Sequence, residues 1–126
     1  MGKSEKLINV GVIGCGHWGP NHIRIFSHLP DSRALMCADV DENRLKAIKE
    51  TFLNIQITTN YKDILKNKDI HAVCISSPTD THYSLAKETL EHDKHVLCEK
   101  PLALKSQECL ELIELAKQKK KVIMAI

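Results

Sequence analysis

Residues 7–19 read LINVGVIGCGHWG, a mainly apolar run that passes directly into three closely spaced glycines. The first half of this stretch has the apolar character of a buried strand. Gly14, Gly16 and Gly19 follow with the spacing GxGxxG, and a helix is predicted over residues 17–28. All five glycines of the 126-residue chain lie within its first 19 residues, so this turn is where the backbone needs freedom.

A strand, a GxGxxG turn and a helix in this order are typical of a dinucleotide-binding unit. Gly14 permits the tight turn, Gly16 lets a pyrophosphate approach the backbone, and Gly19 lets the helix pack close to the strand. The amides at the start of the helix, those of His17 and Trp18, then point at the phosphates. The whole turn is therefore predicted to contact a cofactor, through Gly14, Cys15, Gly16, His17, Trp18 and Gly19. The alternative is a glycine-rich turn without a ligand, and Gly11, inside the strand, is assigned to close packing.

Strand and helix patterns alternate along the rest of the chain, with short connections. This alternation predicts an α/β fold, a doubly wound parallel sheet of about six strands with helices on both faces. Residues 1–126 are predicted to form one dinucleotide-binding Rossmann domain. The predicted strands are 7–13, 33–40, 55–58, 72–76, 95–98 and 122–126, and the predicted helices are 17–28, 41–52, 61–66, one within 79–91, and 106–119.

Helix caps and turns complete this prediction. Asp41 is expected to cap the second helix, and Ser106 the last one. Three apolar residues at helical spacing in that last helix are expected to face the core: Leu110, Ile113 and Ala116. Because no glycine follows residue 19, the turns at 65–69 and 92–94 must use Asn, Asp and His, of which Asn and Asp tolerate left-handed conformations best.

An acidic residue at the end of the second strand provides the second half of the fingerprint. Asp39 follows Gly19 by 20 residues, the spacing at which a carboxylate accepts hydrogen bonds from the adenosine ribose of a dinucleotide. A carboxylate there repels a 2′-phosphate, so NAD is favoured over NADP. Asp41 competes weakly for this role because it is a good helix cap, and Arg44 could meet a 2′-phosphate but is assigned to a solvated helix position.

The residues after the fourth strand read SSPTDTH and lie at the carboxyl edge of the predicted sheet, where ligands bind in open α/β folds. Small hydroxyl residues suit a loop that passes along a dinucleotide, and His82 is expected to orient this loop or to approach the cofactor. The predicted contacts are Ser76, Ser77, Pro78, Thr79 and His82. For Asp80 and Thr81 a turn or helix-cap role is preferred. The remaining histidines are assigned to structural or surface roles.

Glu99-Lys100-Pro101 follows the fifth strand at the same edge. Lys100 therefore faces the predicted cleft, and its ammonium group is suited to bind a substrate oxygen and to stabilise negative charge that develops there. Its position between a buried strand and a proline raises it above the other basic residues of the chain. Lys100 is the predicted catalytic residue.

Composition argues against several other classes of protein. The net charge is +2 and the aromatic content 4%, with dispersed basic residues, which does not favour a nucleic-acid partner. No run approaches the roughly 20 apolar residues that span a bilayer, and Met1–Lys6 is polar, so neither a membrane span nor a leader is predicted. The five cysteines lack a CxxC pair and are expected to be reduced and mostly buried, without a metal site, in a cytoplasmic protein.

Four stretches taken together, GVIGCGHWGPNH, ADVD, SSPTDTH and HVLCEKPLA, resemble the N-terminal domain of the Gfo/Idh/MocA oxidoreductase family over nearly the whole chain. The resemblance implies that NAD or NADP is bound, that Lys100 takes part in catalysis and that Glu99 lies near the nicotinamide ribose. The sequence WGPN at residues 18–21 is similar to that of family members that act on nucleotide-linked sugars, especially members that oxidise C3 of UDP-N-acetylglucosamine uronic acids. The family's common glycine before the fifth strand is replaced here by His92-Asp93.

The resemblance also implies a second domain that supplies most of the substrate pocket and is absent from these residues. The chain is therefore expected to bind NAD with little turnover, and the complete enzyme to transfer a hydride to or from a sugar or nucleotide sugar. Self-association through the surface that a second domain would cover, and a homo-oligomer, are expected. The alternative is a non-catalytic nucleotide-binding or regulatory module.

Overall fold

The computed structural model describes residues 7–126, so the segment Met1–Lys6, on which the prediction of no leader depends, lies outside it. Six parallel strands form one sheet in the order β3-β2-β1-β4-β5-β6. The elements are β1 (Ile8–Ile13), α1 (Gly19–His28), β2 (Ser32–Ala38), α2 (Glu42–Thr51), β3 (Gln56–Thr58), α3 (Lys62–Lys66), β4 (Ala72–Ile75), a 3₁₀ turn (Thr79–Thr81), α4 (His82–Glu91), β5 (His95–Cys98), α5 (Ser106–Lys119) and β6 (Ile123–Ala125). The predicted α/β fold with a doubly wound parallel sheet is confirmed.

Apolar side chains pack against both faces of the sheet. One layer contains Ile23 of α1 and Leu45 of α2, and the other contains Leu90 of α4 and Leu112 of α5. Helices therefore cover both faces, as the alternating pattern predicts. Gly11 of β1 serves this packing, because a Cβ there would lie 2.5 Å from Cγ2 of a side chain of α3.

The buried face of α5 agrees with the prediction at Ala116 and differs from it at the other two residues. Leu112 and Ala116 are buried, whereas Leu110 and Ile113 are exposed. Two apolar stripes run along this helix at the same period, and only packing against α4 decides which one faces inward. The predicted cap is also wrong, because Lys105 is the N-cap residue, without a side-chain cap, and Ser106 is the first helical residue.

The turns that lack glycine use left-handed residues of other types. Asp93 has φ 60°, which confirms the predicted turn before β5, and Lys120 has φ 58° at the end of α5. The buried Lys94 connects the turn before β5 to the turn before β4, since its Nζ donates to the carbonyls of Asn67 and Ile70 at 2.7 and 2.8 Å. Asp41 caps α2 as predicted, by accepting the amide hydrogen of the second helical residue.

Two histidines at the amino edge of the sheet accept backbone hydrogen bonds. His71 Nδ1 accepts the amide of Asn9 at 2.9 Å, and His95 Nδ1 accepts the amide of Val122 at 3.0 Å. Both bonds require an unprotonated Nδ1 atom. Burial, and then the positive charge of Lys121, lower the pKa of His95 below its ordinary value of 6.5.

We expect the free energy of unfolding to fall on acidification from pH 7.5 to 5.5. Below pH 6.5 the unfolded chain binds a proton at residue 95 before the folded chain does, so this contribution is lost as the pH falls towards the lowered folded pKa. Urea denaturation at the two pH values measures the effect. His95→Gln keeps an acceptor for the Val122 amide and should reduce the slope of the free energy of unfolding against pH. His28→Gln, at an exposed position, should leave this slope unchanged. An unchanged slope in His95→Gln would refute this assignment.

Candidate functional site

A cavity of about 770 Å³ opens at the carboxyl ends of β1, β2 and β4. This is the edge of a parallel sheet at which ligands bind, beside the point where the strand order reverses between β1 and β4. Seven residues predicted to bind a cofactor line the cavity: Gly14, Gly16, His17, Asp39, Ser76, Ser77 and Pro78. The structure therefore brings three of the four segments indicated by the sequence to one cavity.

Two of the three fingerprint glycines are required by packing. Gly14 has φ +97°, and a Cβ there would lie 2.6 Å from the Ser77 amide nitrogen and 2.7 Å from the Ser76 carbonyl carbon. A Cβ on Gly19 would overlap the Gly14 carbonyl oxygen. Gly19 is predicted to let the helix pack close to the strand, and in the structure the backbone that it approaches is that of Gly14, just beyond the end of β1.

The third glycine faces open space. A Cβ on Gly16 would meet only the end of the Arg44 side chain, at 3.4 Å from Nη1. Within residues 7–126, the amides of Gly16, His17 and Trp18 donate no hydrogen bond to protein groups. Helix α1 begins at Gly19, so these amides precede the helix rather than lying inside it as predicted. The turn therefore offers free donors beside an open cavity wall.

Asp39 lies immediately beyond β2 and is 9% exposed. Its Oδ2 accepts the Cys15 amide at 2.7 Å and its Oδ1 accepts the Asp41 amide at 2.8 Å. These two bonds hold the carboxylate against the glycine turn. Each carboxylate oxygen retains a lone pair for a further donor from the cavity side.

The side chains of Cys15 and Trp18 do not line the cavity. The Cys15 side chain is buried, and its hydrogen bond with Cys37, together with burial, raises the pKa of its thiol. Only its amide faces Asp39, so the thiol is unreactive and serves packing. Trp18 is 53% exposed and packs edge-on against His17, with ring centroids 5.4 Å apart.

The loop after β4 presents hydroxyl groups to the cavity. The Ser77 and Thr81 hydroxyls are 2.7 Å apart and bonded to one another. Ser76 Oγ is buried, and no partner for it is found among the described residues. This oxygen is enclosed by protein atoms and is not offered to a ligand in the cavity. Thr79 begins the 3₁₀ turn and does not line the cavity.

His82 is almost fully buried, at 2% exposure, and connects two loops. Its Nε2 lies 2.9 Å from the Ser77 carbonyl oxygen and its Nδ1 lies 2.8 Å from the Pro101 carbonyl oxygen. Of the two roles considered for His82, this placement corresponds to the orientation of loops. It ties the loop after β4 to the loop that carries Lys100.

Glu99 and Lys100 lie beyond the cavity, after β5. Glu99 Oε2 is 2.9 Å from Nε2 of His22, which lies in the first turn of α1. Lys100 has an exposed side chain and donates its amide to the Ile126 carbonyl at 2.8 Å, and its peptide bond to Pro101 is cis. Glu99, Lys100 and His22 extend the candidate site along the carboxyl edge of the sheet, away from Asp39.

Some residues of the site are absent from the sequence-based set. Arg44, Tyr61 and Ser84 line the cavity, and His22 pairs with Glu99. They come from helices or from positions beside a helix start, whereas the predicted residues follow strands. Arg44 follows the capping Asp41 by three residues, and residues three apart lie on the same face of a helix, so its side chain lies at the carboxyl edge of the sheet. His22 likewise lies three residues after Gly19, the first residue of α1.

Among residues 7–126, every helix is too short or too polar to span a lipid bilayer. Within the same residues, no three His, Cys, Asp or Glu side chains are grouped so that they could hold a metal ion.

A glycine turn with free amides, a carboxylate beyond the second strand and a cavity between them define a dinucleotide-binding Rossmann domain. The chain belongs to the family described as "Oxidoreductase family, NAD-binding Rossmann fold" (GFO_IDH_MocA), whose model matches residues 8–126.

Individual relatives agree with this assignment. The chain is 34% identical over 108 residues to an uncharacterized oxidoreductase, YrbE, of Bacillus subtilis, covering 86% of this chain and 32% of the relative. It is 32% identical over 109 residues to an inositol 2-dehydrogenase of Burkholderia ambifaria, covering 85% and 32%. A 3-ketoreductase from Actinomadura kijaniata, determined with TDP-benzene and NADP, superposes with a TM-score of 0.88 at 25% identity, covering 96% and 38%. The chain thus spans about a third of the length of its curated relatives.

Proposed function

We propose that this chain binds NAD as the cofactor domain of a dehydrogenase that acts on a sugar or nucleotide sugar. The observation that carries the proposal is the Asp39 carboxylate, held against the glycine turn and open to the cavity on its remaining lone pairs. The vicinal hydroxyls of an adenosine ribose are the donors that such a carboxylate recognises. The inositol 2-dehydrogenases among the relatives and the ketoreductase determined with TDP-benzene support a cyclic polyol, sugar or nucleotide-sugar substrate.

The residues present fit a dinucleotide. The free amides of Gly16, His17 and Trp18 are suited to a pyrophosphate, because backbone donors just before a helix favour anions. The open space at Gly16 admits such a group. The adenosine end is therefore assigned to Asp39 and the phosphates to the glycine turn.

The nicotinamide end is assigned to the loop after β5. When bound, the nicotinamide supplies hydride transfer. His22 holds Glu99 in place at 2.9 Å, and Glu99 is assigned to the nicotinamide ribose. The exposed Lys100 ammonium is assigned to the substrate oxygen, where it stabilises negative charge. The rest of the substrate pocket is assigned to a second domain of the length that the relatives possess, so residues 1–126 alone should turn over little substrate.

Asp39→Ala is expected to weaken NADH binding about tenfold, because a hydrogen bond to a charged group contributes on the order of 1.5–3 kcal/mol. Isothermal titration calorimetry of residues 1–126 measures the dissociation constant. Asp69→Ala is the matched control, since Asp69 precedes β4 and therefore lies at the opposite edge of the sheet.

Circular dichroism of each variant must show the wild-type spectrum, because Asp39→Ala also removes the acceptor of the Cys15 amide. If that variant does not fold, Asp39→Asn, which keeps one acceptor oxygen, replaces it in the titration. Wild-type NADH affinity in a folded Asp39 variant would refute the assignment of Asp39 to the ribose.

A further inference from the structure

Helix α5 presents two large apolar side chains to solvent. Leu110 is 67% exposed and Ile113 is 43% exposed. They are three residues apart, so they lie side by side on one face of the helix. Glu114 and Lys117 continue this face, because each follows one of the two apolar residues by three or four positions. These four exposed residues are called here the outer face of α5.

The charges of α5 are segregated along the helix axis. All of its acidic residues precede all of its basic residues, in the order Glu108, Glu111, Glu114, Lys117 and Lys119. This order suits the helix macrodipole, but the macrodipole gives no reason for exposed apolar side chains among the charges. Within residues 7–126, neither Glu114 nor Lys117 forms an ion pair. Both charges are therefore available to another molecule.

We propose that the outer face of α5 binds a second copy of this chain, with the two α5 helices antiparallel across a two-fold axis. In this orientation the acidic part of each helix lies beside the basic part of the other, so that Glu114 of one copy is near Lys117 of the other. Leu110 and Ile113 of the two copies then cover one another near the axis, as in the self-complementary contact of a two-fold dimer. A parallel arrangement would instead place like charges together.

The proposed dimer does not depend on the cofactor site. No residue of α5 lines the cavity at the carboxyl ends of β1, β2 and β4, so the cavity stays open in the dimer. The contact is small, because it involves one face of a single helix in each copy. We therefore expect a weak dimer, with a dissociation constant between about 10 µM and about 1 mM.

Sedimentation equilibrium of the unaltered chain over this concentration range tests the proposal. Leu110→Gln, Glu114→Lys and Lys117→Glu should each weaken association about tenfold, because a single substitution changes the symmetric contact twice. The matched controls are Leu53→Gln and Glu50→Lys, at exposed positions of the chain outside α5, and both should leave association unchanged. Circular dichroism of each variant verifies the fold.

A mixture of the two charge variants separates contact between copies from an effect within one helix. The Glu114→Lys chain is basic at both positions and the Lys117→Glu chain is acidic at both, so each repels its own copy and attracts the other. An equimolar mixture should therefore associate about tenfold more tightly than either variant alone, and added salt should remove this gain.

Three results would overturn the proposal. The first is an unaltered chain that stays monomeric at about 1 mM. The second is association that none of the three variants weakens, since the contact would then lie on another surface, such as the one expected to face a second domain. The third is a mixture that associates no better than its components, because the charges of the two copies would then not be paired.

Discussion

Gly14→Ala is expected to lower the free energy of unfolding by about 4 kcal/mol, which is a large fraction of the stability of a typical domain. Two costs combine at this position. The φ of +97° strains any L-residue with a side chain, and the added Cβ would lie 2.6 Å from the Ser77 amide nitrogen. The atoms that the Cβ would meet, in Ser76 and Ser77, belong to the backbone of the loop after β4. This loop is bonded to β1 through the Ser76 amide and the Ile13 carbonyl at 2.8 Å. The clash therefore cannot be relieved by rotation of a side chain.

Urea denaturation followed by circular dichroism measures this loss. Gly16→Ala is the matched control in the same turn, because its Cβ meets only a flexible arginine side chain at 3.4 Å. That variant should retain a wild-type spectrum and a midpoint close to that of the unaltered chain. Equal stability of the Gly14 and Gly16 variants would contradict the close packing of Gly14 against the loop after β4.

The strands, their parallel direction and the edge that carries the site follow from local patterns. Buried parallel strands such as β4 are short unbroken apolar runs, and residues that follow them lie at one edge because parallel strands share a direction. Asp39 and Ser76 were predicted in this way, and both line the cavity. Asp93 was predicted as a turn residue because few side chains tolerate a left-handed backbone, and its φ is 60°.

Features that depend on how helices rotate could not be predicted from the sequence. In α5 the apolar positions 110 and 113 and the apolar positions 112 and 116 both have helical spacing, and contact with α4 selects the second pair. The same limit applies to the site. Arg44 and His22 reach the carboxyl edge from helices, and their partners Asp39 and Glu99 are distant in sequence or on another element. Periodicity describes which residues share a helix face, and tertiary packing decides what that face meets.

Gly16→Val is expected to reduce NADH affinity roughly 100-fold while leaving the fold intact, since a branched side chain placed where a ligand must fit costs on the order of 1–3 kcal/mol. Gly16 lines the cavity, and its backbone does not require glycine, because a positive φ is found at Gly14 alone among the described glycines. The Val side chain meets the Arg44 guanidinium, which is half exposed and free to move. Calorimetric titration with NADH measures the loss, and thermal unfolding verifies the fold.

This substitution separates the two explanations of the glycine-rich turn. If the turn binds no ligand, only Gly14 and Gly19 have a structural reason to be glycine, because their Cβ atoms would overlap backbone. Gly16 then has no such reason, and a Val variant should be indistinguishable from the unaltered chain in every measurement. A folded Gly16→Val chain that no longer binds NADH would mean that the space at residue 16 is kept open for the cofactor. Wild-type affinity in that variant would refute the assignment of the pyrophosphate to this turn. The assignment of Asp39 to the ribose would then lose its support, because it depends on a pyrophosphate bound beside it.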